Sequence, residues 1–207
     1  MKPSDEYEFT ENWFIYGEKL WPIFVKHLPK RPKRKFMEIG SFEGRSAVWI
    51  MEHMMTPEDS LYCIDTWEGG REHGQIDMDV VKSRFDLNIV KAVWKTKIPQ
   101  LNVYTIREKS SSALSRYLRF HRPEDGWDFI YIDGSHEAHD VLRDATMAWE
   151  LLVEGGLMVF DDYLWGDPRQ PLLRPKMAID AFINICAPQI SIFHVGYQVV
   201  LQKVNRD

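Results

Sequence analysis

Three aspartates stand where two successive apolar runs of the sequence end. Asp133 closes the run 127–132, and Asp161 with Asp162 closes the run 156–160. If these runs are neighbouring strands, the three carboxylates meet and repel one another unless they are protonated or bridged by a cation. Mg²⁺ prefers oxygen ligands and keeps several waters. The pattern predicts a site for Mg²⁺ or another divalent cation at Asp133, Asp161 and Asp162.

A histidine lies close to these acids in the sequence. His136 follows Asp133 by three residues and opens the next predicted helix. An imidazole can accept a proton near neutral pH, which suits a general base. A lone histidine here would more commonly cap a helix or face solvent, but its acidic neighbours favour catalysis. We therefore predict that His136 is the catalytic residue.

A glycine-containing turn precedes the acids. In the segment 38–44, Gly40 and Gly44 let the backbone approach a ligand where a side chain would block it. The dinucleotide fingerprint G-x-G-x-x-G is absent. Two glycines at this spacing are weak evidence alone, since a plain packing turn is an equal alternative.

The next apolar run ends in an acid and an aromatic residue. Asp65 could accept both hydroxyls of a ribose, and Trp67 could stack on a purine. Ordinary core packing is an equal alternative for Trp67. These residues extend the candidate site beyond the metal-binding acids.

The elements that position these residues follow from hydrophobic periodicity. Strands are predicted at 36–40, 60–65, 103–106, 127–133, 156–161, 190–195 and 198–204, and helices at 12–28, 44–55, 77–94, 110–120, 137–153 and 173–186. The first five strands alternate with helices, which implies a parallel sheet with helices on both faces. The last two are too close for a crossover and must form an antiparallel hairpin. The predicted fold is a seven-stranded α/β sheet whose ligands bind at the carboxyl ends of the parallel strands.

Composition limits the classes of function. A chain of 207 residues, 44% hydrophobic, suits one domain spanning 1–207. The net charge of −5 makes nucleic acid an unlikely partner. The basic run 30–35 is the exception, and we interpret it as a solvated loop rather than a phosphate contact or a nuclear signal. Two widely separated cysteines, an acidic start and the absence of a membrane-length apolar run predict a cytoplasmic protein without membrane association.

These motifs together resemble class I S-adenosylmethionine-dependent methyltransferases, nearest to the metal-dependent catechol-type and the macrocin or mycinamicin sugar O-methyltransferases. The resemblance runs from about residue 36 to residue 163. It rests on the glycine turn 38–47, on Asp65, and on the segments 128–136 and 155–163. Its most specific feature is the spacing of the metal aspartates, 28 residues from the first to the second (161 − 133) and one more to the third.

The resemblance implies roles for individual residues. Glu38, Gly40 and Ser41, with Gly44 in the same turn, would meet the amino-acid end of the cofactor, and Asp65 its ribose. Trp67 and Ser110 would meet the adenine, and Asp133 would face the cofactor as well as the metal.

His136 stands where catechol enzymes have a lysine, as in sugar enzymes, which points to a sugar or other natural-product hydroxyl as acceptor. The metal would lower the pKa of that hydroxyl, and His136 would take its proton. Residues 1–34, with Trp13, Tyr16 and Trp21, and the loop 69–77 would wall the acceptor pocket, although plain packing or a homo-oligomer contact is an equal alternative.

Three other functions stay open at this stage. A methyltransferase acting on nucleic acid or protein would use the basic run 30–35 to hold its acceptor. A non-catalytic protein of the same fold would tolerate loss of His136 or the aspartates. A nicotinamide oxidoreductase would share the sheet, but it would want the G-x-G-x-x-G turn and has no use for Asp161 and Asp162.

Overall fold

One seven-stranded sheet organises the protein. The computed structural model describes residues 6–70, 73–120, 122 and 125–205. The strand order is β3-β2-β1-β4-β5-β7-β6. The strands are β1 (Lys35–Ile39), β2 (Ser60–Asp65), β3 (Val103–Arg107), β4 (Trp127–Ile132), β5 (Leu152–Phe160), β6 (Ile190–Val195) and β7 (Val199–Lys203). The first five strands are parallel, and β7 pairs antiparallel with both β5 and β6.

Within the described residues, six α-helices cover the two faces of the sheet. They are α1 (Ile15–Phe24), α2 (Arg45–His53), α3 (Met78–Thr96), α4 (Ser110–Phe120), α5 (Ala138–Leu151) and α6 (Lys176–Cys186). One buried core lies under α1, α2 and α3, and a second lies under α4, α5 and α6. The predicted Rossmann-like α/β sheet with its terminal antiparallel hairpin is confirmed.

Several element boundaries differ from the sequence prediction, and two of the differences have a cause in the local chain chemistry. The first helix is shorter than 12–28: it ends at Phe24 and tightens into a 3-10 turn over Val25–His27. Pro29 follows and disfavours helical geometry in the residue before it. The last helix begins at Lys176, directly after Pro175, because proline is favoured at the start of a helix.

The basic run 30–35 is engaged in pairing within the protein. Arg31 binds the buried carboxylate of Asp128, with Nε 2.7 Å from Oδ1. Arg34 pairs with buried Asp59 at 2.8 Å. Two of the six residues thus tie the loop to the ends of neighbouring strands, which gives the run a structural role.

The two cysteines form no disulfide bond: Cys63 and Cys186 are free thiols. Across the described ranges, no helix is both long and apolar enough to cross a bilayer.

Candidate active site

The carboxyl ends of the parallel strands open into a cavity of about 1310 Å³. Eight of the predicted site residues line it: Gly40, Ser41, Asp65, Ser110, Asp133, His136, Asp161 and Asp162. Parallel strands bring their carboxyl ends to one edge, so residues distant in sequence meet there. The remaining predicted residues, Glu38, Gly44 and Trp67, do not line the cavity.

Three side chains at this edge could hold a metal ion. One ligand atom each from Asp133, His136 and Asp162 lies within 4.8 Å of the others. His136 Nε2 is 2.8 Å from Asp162 Oδ2. The backbone of Asp162 adopts a left-handed conformation with φ of +57°, which turns the chain directly after β5. Two carboxylates and an imidazole are suitable ligands for a divalent cation.

Asp161 is not part of this ligand group. Its Oδ2 accepts hydrogen bonds from Gln198 Nε2 at 2.8 Å and from the Tyr131 hydroxyl, and its Oδ1 accepts from the backbone N–H of Asp162. The Tyr131 hydroxyl also lies 2.9 Å from Asp133 Oδ2. The sequence predicts Asp161 as a third metal ligand, and this stays a prediction: Asp161 lines the same cavity, but its oxygens accept hydrogen bonds from Tyr131, Gln198 and the backbone of Asp162.

Asp133 and Asp161 favour protonation because each is buried beside other acids. Burial raises the pKa of Asp133 well above its usual value, and the charges of Asp161 and Asp162 raise it further. Burial, followed by the charge of Asp162, also raises the pKa of Asp161. A bound cation would offset both effects, because it favours the charged form of each carboxylate.

The glycine turn makes a close backbone contact with the cluster. Gly40 has a φ of +86°, and a Cβ atom there would lie 1.9 Å from the carbonyl oxygen of Asp133. Only glycine fits between β1 and the loop after β4. Gly44 has a φ of +81° at the N-terminus of α2 and packs against Phe85. Gly44 therefore shapes the turn without contacting the cavity.

Asp65 anchors the glycine turn as well as lining the cavity. Its Oδ2 accepts from the backbone N–H groups of Ser41 and Phe42 at 2.8 and 3.0 Å, and its Oδ1 accepts from Trp67 at 2.7 Å. Each carboxylate oxygen can accept more than one hydrogen bond, so capacity for a ligand hydroxyl remains. Asp65 can thus hold the turn and a ribose together.

Trp67 and Glu38 are core residues in the structure. Trp67 is 1% exposed, packs against Phe85, and donates from Nε1 to the carbonyl oxygen of Phe42. Glu38 is fully buried beneath the turn, where Ser46 donates to it. Burial raises the pKa of Glu38 to about 7, although the hydroxyls of Ser41 and Ser46 oppose the shift. Neither side chain reaches the cavity, so the predicted cofactor contacts of both are not supported.

Aromatic side chains form the wall opposite the sheet. Trp13 and Tyr16 line the cavity, as do Gly69, Gly70 and His73 of the predicted loop wall, of which residues 71 and 72 lie outside the described part. Residues 1–5 of the predicted cap 1–34 also lie outside it. Trp21, predicted as a third wall residue, is fully buried instead.

Sequence reasoning missed the residue that joins Trp21 to the site. Gln198 is 1% exposed, accepts from Trp21 Nε1 at 2.9 Å and donates to Asp161. The predicted strand 198–204 contained Gln198, but β7 begins only at Val199, which leaves Gln198 in the hairpin turn. A polar residue beside an apolar strand was the only sequence signal.

Comparison with known families decides the class of protein. The family described as a methyltransferase domain matches residues 37–163, which include the glycine turn and all four residues of the acid and histidine cluster. The chain belongs to this methyltransferase family. The sequence-based resemblance to class I methyltransferases is confirmed.

Individual relatives of this methyltransferase are distant. An uncharacterized protein of Acanthamoeba polyphaga mimivirus is 29% identical over 132 residues, and the matched region spans 62% of this chain but only about half (51%) of that protein. TomG from Streptomyces achromogenes, an O-methyltransferase of tomaymycin synthesis in complex with SAM, is 18% identical with a TM-score of 0.62, covering 92% of this chain and 80% of that one.

MycE, a methyltransferase of the mycinamycin biosynthetic pathway in complex with Mg, SAH and mycinamycin VI, is 17% identical with a TM-score of 0.59. The match covers 96% of this chain and 51% of that one. At these identities the structures establish a shared fold.

Proposed function

We propose that this methyltransferase is an S-adenosylmethionine-dependent O-methyltransferase that acts on a metal-bound hydroxyl of a small molecule, a sugar or another natural product. The observation that carries the proposal is the shared cavity. The group Asp133, His136 and Asp162 opens into the same space as Gly40 and Asp65. A methyl donor and a metal-bound acceptor would therefore lie side by side.

The cavity has room and suitable groups for the cofactor. Typical ligand sites enclose roughly 300 to 1000 Å³, so about 1310 Å³ would hold a nucleoside-sized cofactor and an acceptor together. Gly40 and Ser41 would contact its amino-acid end, Asp65 its ribose and Ser110 its base. The protein supplies orientation, while the cofactor supplies the reactive methyl group.

The ligand group suits Mg²⁺ or a similar cation, which when bound would lower the pKa of the acceptor hydroxyl. Asp133 and Asp162 would hold the ion, and Asp161 would orient them through Tyr131 and the backbone of Asp162. His136 would take the hydroxyl proton. Asp162, whose Oδ2 lies 2.8 Å from His136 Nε2, would then stabilise the charged imidazolium.

The wall of the acceptor side favours a ring-shaped small molecule. Tyr16 stacks on Tyr197 with ring centroids 4.6 Å apart, and Trp165 lies 4.3 Å from the His136 ring. Flat apolar surfaces beside a few polar groups are typical of sites that bind small ring compounds. This wall and the named substrate of MycE, mycinamycin VI, support a sugar or natural-product acceptor.

The contacts of the basic run do not support a macromolecular acceptor. Its two arginines, Arg31 and Arg34, are bound to Asp128 and Asp59. The two free thiols agree with a reducing compartment, and we propose the cytoplasm as the location.

Calorimetric titration with S-adenosylmethionine and its demethylated product, with and without Mg²⁺, tests the cofactor. An acceptor screen over sugars and natural-product hydroxyls, with and without chelator, tests the reaction. We expect Asp162→Asn to lose metal-dependent transfer, whereas the control Asp86→Asn, on an exposed face of α3, keeps it.

Absence of cofactor binding would contradict the methyltransferase assignment of this site. Transfer that survives both the chelator and Asp162→Asn would contradict the metal role alone. Cofactor binding with no transfer to any acceptor of the screen would favour a non-catalytic binding protein.

A further inference from the structure

The cavity extends past the glycine turn to a groove between α4 and α5. Asp144 lines it there, from the middle of α5, and is 2% exposed. Ser110, at the start of α4, donates its hydroxyl to Asp144 Oδ1 at 2.8 Å. Among the described residues, Asp144 forms no ion pair, since the adjacent Arg143 binds Asp140 instead. A buried carboxyl group without a cationic partner is uncommon and costs free energy.

The sheet order indicates which part of a nucleoside would reach this groove. Asp65 lies at the end of β2, Ser110 follows β3, and Asp144 lies on the helix after β4. All three line one cavity. Because β3 and β4 lie on opposite sides of β2, a nucleoside whose ribose is held at Asp65 and whose reactive end points to Asp133 would direct its base towards Ser110, which is bonded to Asp144.

The chemistry of Asp144 then determines which base fits. An ionised carboxylate only accepts hydrogen bonds, so it pairs with an amino group and is repelled by a carbonyl oxygen at the same position. Burial raises the pKa of Asp144 to about 6, opposed by the Ser110 hydroxyl and the charge of Arg143. Above that pH the carboxylate form predominates.

We propose that Asp144, oriented by Ser110, accepts a hydrogen bond from the exocyclic amino group of the cofactor's adenine and rejects a base with a carbonyl oxygen there. This inference rests on the proposed function, because it assumes that the cavity holds the adenosyl cofactor. The structural alternative is that the Asp144–Ser110 bond only joins α4 to α5.

A pair of ligands separates these explanations. S-adenosylhomocysteine and S-inosylhomocysteine differ at the base, where the inosyl compound has a carbonyl oxygen in place of the amino group. We expect the wild-type protein to bind the adenosyl compound at least roughly tenfold more tightly by calorimetry, since leaving buried polar groups unpaired is costly.

Asp144→Asn should reduce that preference to about twofold, because an amide can both donate and accept. Asp140→Asn, a cavity-lining acid paired with Arg143, is the matched control and should keep the preference. Ser110→Ala leaves the carboxylate in place without its orienting bond, so it should cause a smaller loss of preference and serves if Asp144→Asn fails to fold.

Each result decides between the explanations. An unchanged preference in Asp144→Asn and Ser110→Ala, even with a lowered melting temperature, would overturn the inference and leave the proposed function intact. Failure of the wild-type protein to bind either compound would overturn the proposed function and this inference with it.

Discussion

Replacing Glu38 by glutamine should change how the stability of the protein depends on pH. The difference in unfolding free energy between Glu38→Gln and wild type should increase in favour of the variant as the pH rises. The Glu38 pKa is about 7 in the folded protein against an ordinary value of 4.5. The folded state therefore holds a proton that the unfolded chain releases. The stability linked to this proton is fully present below about pH 4.5 and is lost as the pH rises through 7.

The size of the effect follows from the two pKa values. Their difference, about 2.5, corresponds to roughly 3 kcal/mol at 1.36 kcal/mol for each pKa unit. Glutamine cannot ionise, so it keeps the neutral form that burial favours. The free energy of unfolding of Glu38→Gln minus that of wild type should thus rise by roughly 3 kcal/mol between pH 4.5 and 8.

Urea unfolding of both proteins across this pH range measures that difference, in which the titration of all other groups cancels. Glu58→Gln, at an exposed loop position, is the control, since it makes the same chemical change without burial. A difference between Glu38→Gln and wild type that stays constant with pH would refute the reasoning, because Glu38 would then titrate alike in the folded and unfolded states.

Other substitutions test the packing around the site by urea unfolding. Gln198→Ala should cost about 2 to 3 kcal/mol, because it leaves two buried groups without their partner; a loss below 0.5 kcal/mol would contradict this on the same principle. Gly40→Ala should lower the free energy of unfolding far more than Gly74→Ala. Both glycines have a positive φ, but only at Gly40 would the new Cβ meet backbone atoms. Equal losses of stability would contradict this steric argument. Arg34→Ala should cost about 1 to 3 kcal/mol of stability, because it leaves the buried carboxylate of Asp59 unpaired. The control Lys33→Ala, at an exposed position, should change the stability little. A larger loss for Lys33→Ala than for Arg34→Ala would contradict the structural role of Arg34.

Elements bounded by strong local signals were predictable from the sequence. The bounds of β2, α4 and β6 agree with the prediction to the residue, since turn residues or helix caps flank them. β5 begins earlier than predicted, at Leu152 directly after α5, because Leu152 pairs with Trp127 across a register shift. Such pairing is tertiary and leaves no local pattern.

In the candidate site, too, the residues at strand ends were predictable from the sequence, whereas those placed by tertiary contacts were not. Asp133, His136 and Asp162 meet because each follows the end of a parallel strand, which the sequence reveals. The position of Asp161 depends on Gln198, 37 residues away. Trp67 has a positive φ of 49°, and its side chain turns into the core. Its position two residues after Asp65 in the sequence does not reveal this backbone conformation.

The hydrogen bond between Trp21 and Gln198 joins residues 177 positions apart and passes on to Asp161. During synthesis, Asp161 would therefore gain its hydrogen bond from Gln198 only after the last hairpin has been made. A nascent chain that stops short of residue 198 could form most of the parallel sheet and still lack an organised centre. The hydrogen bonds that hold Asp161 would thus be completed late in folding, when the β6–β7 hairpin forms.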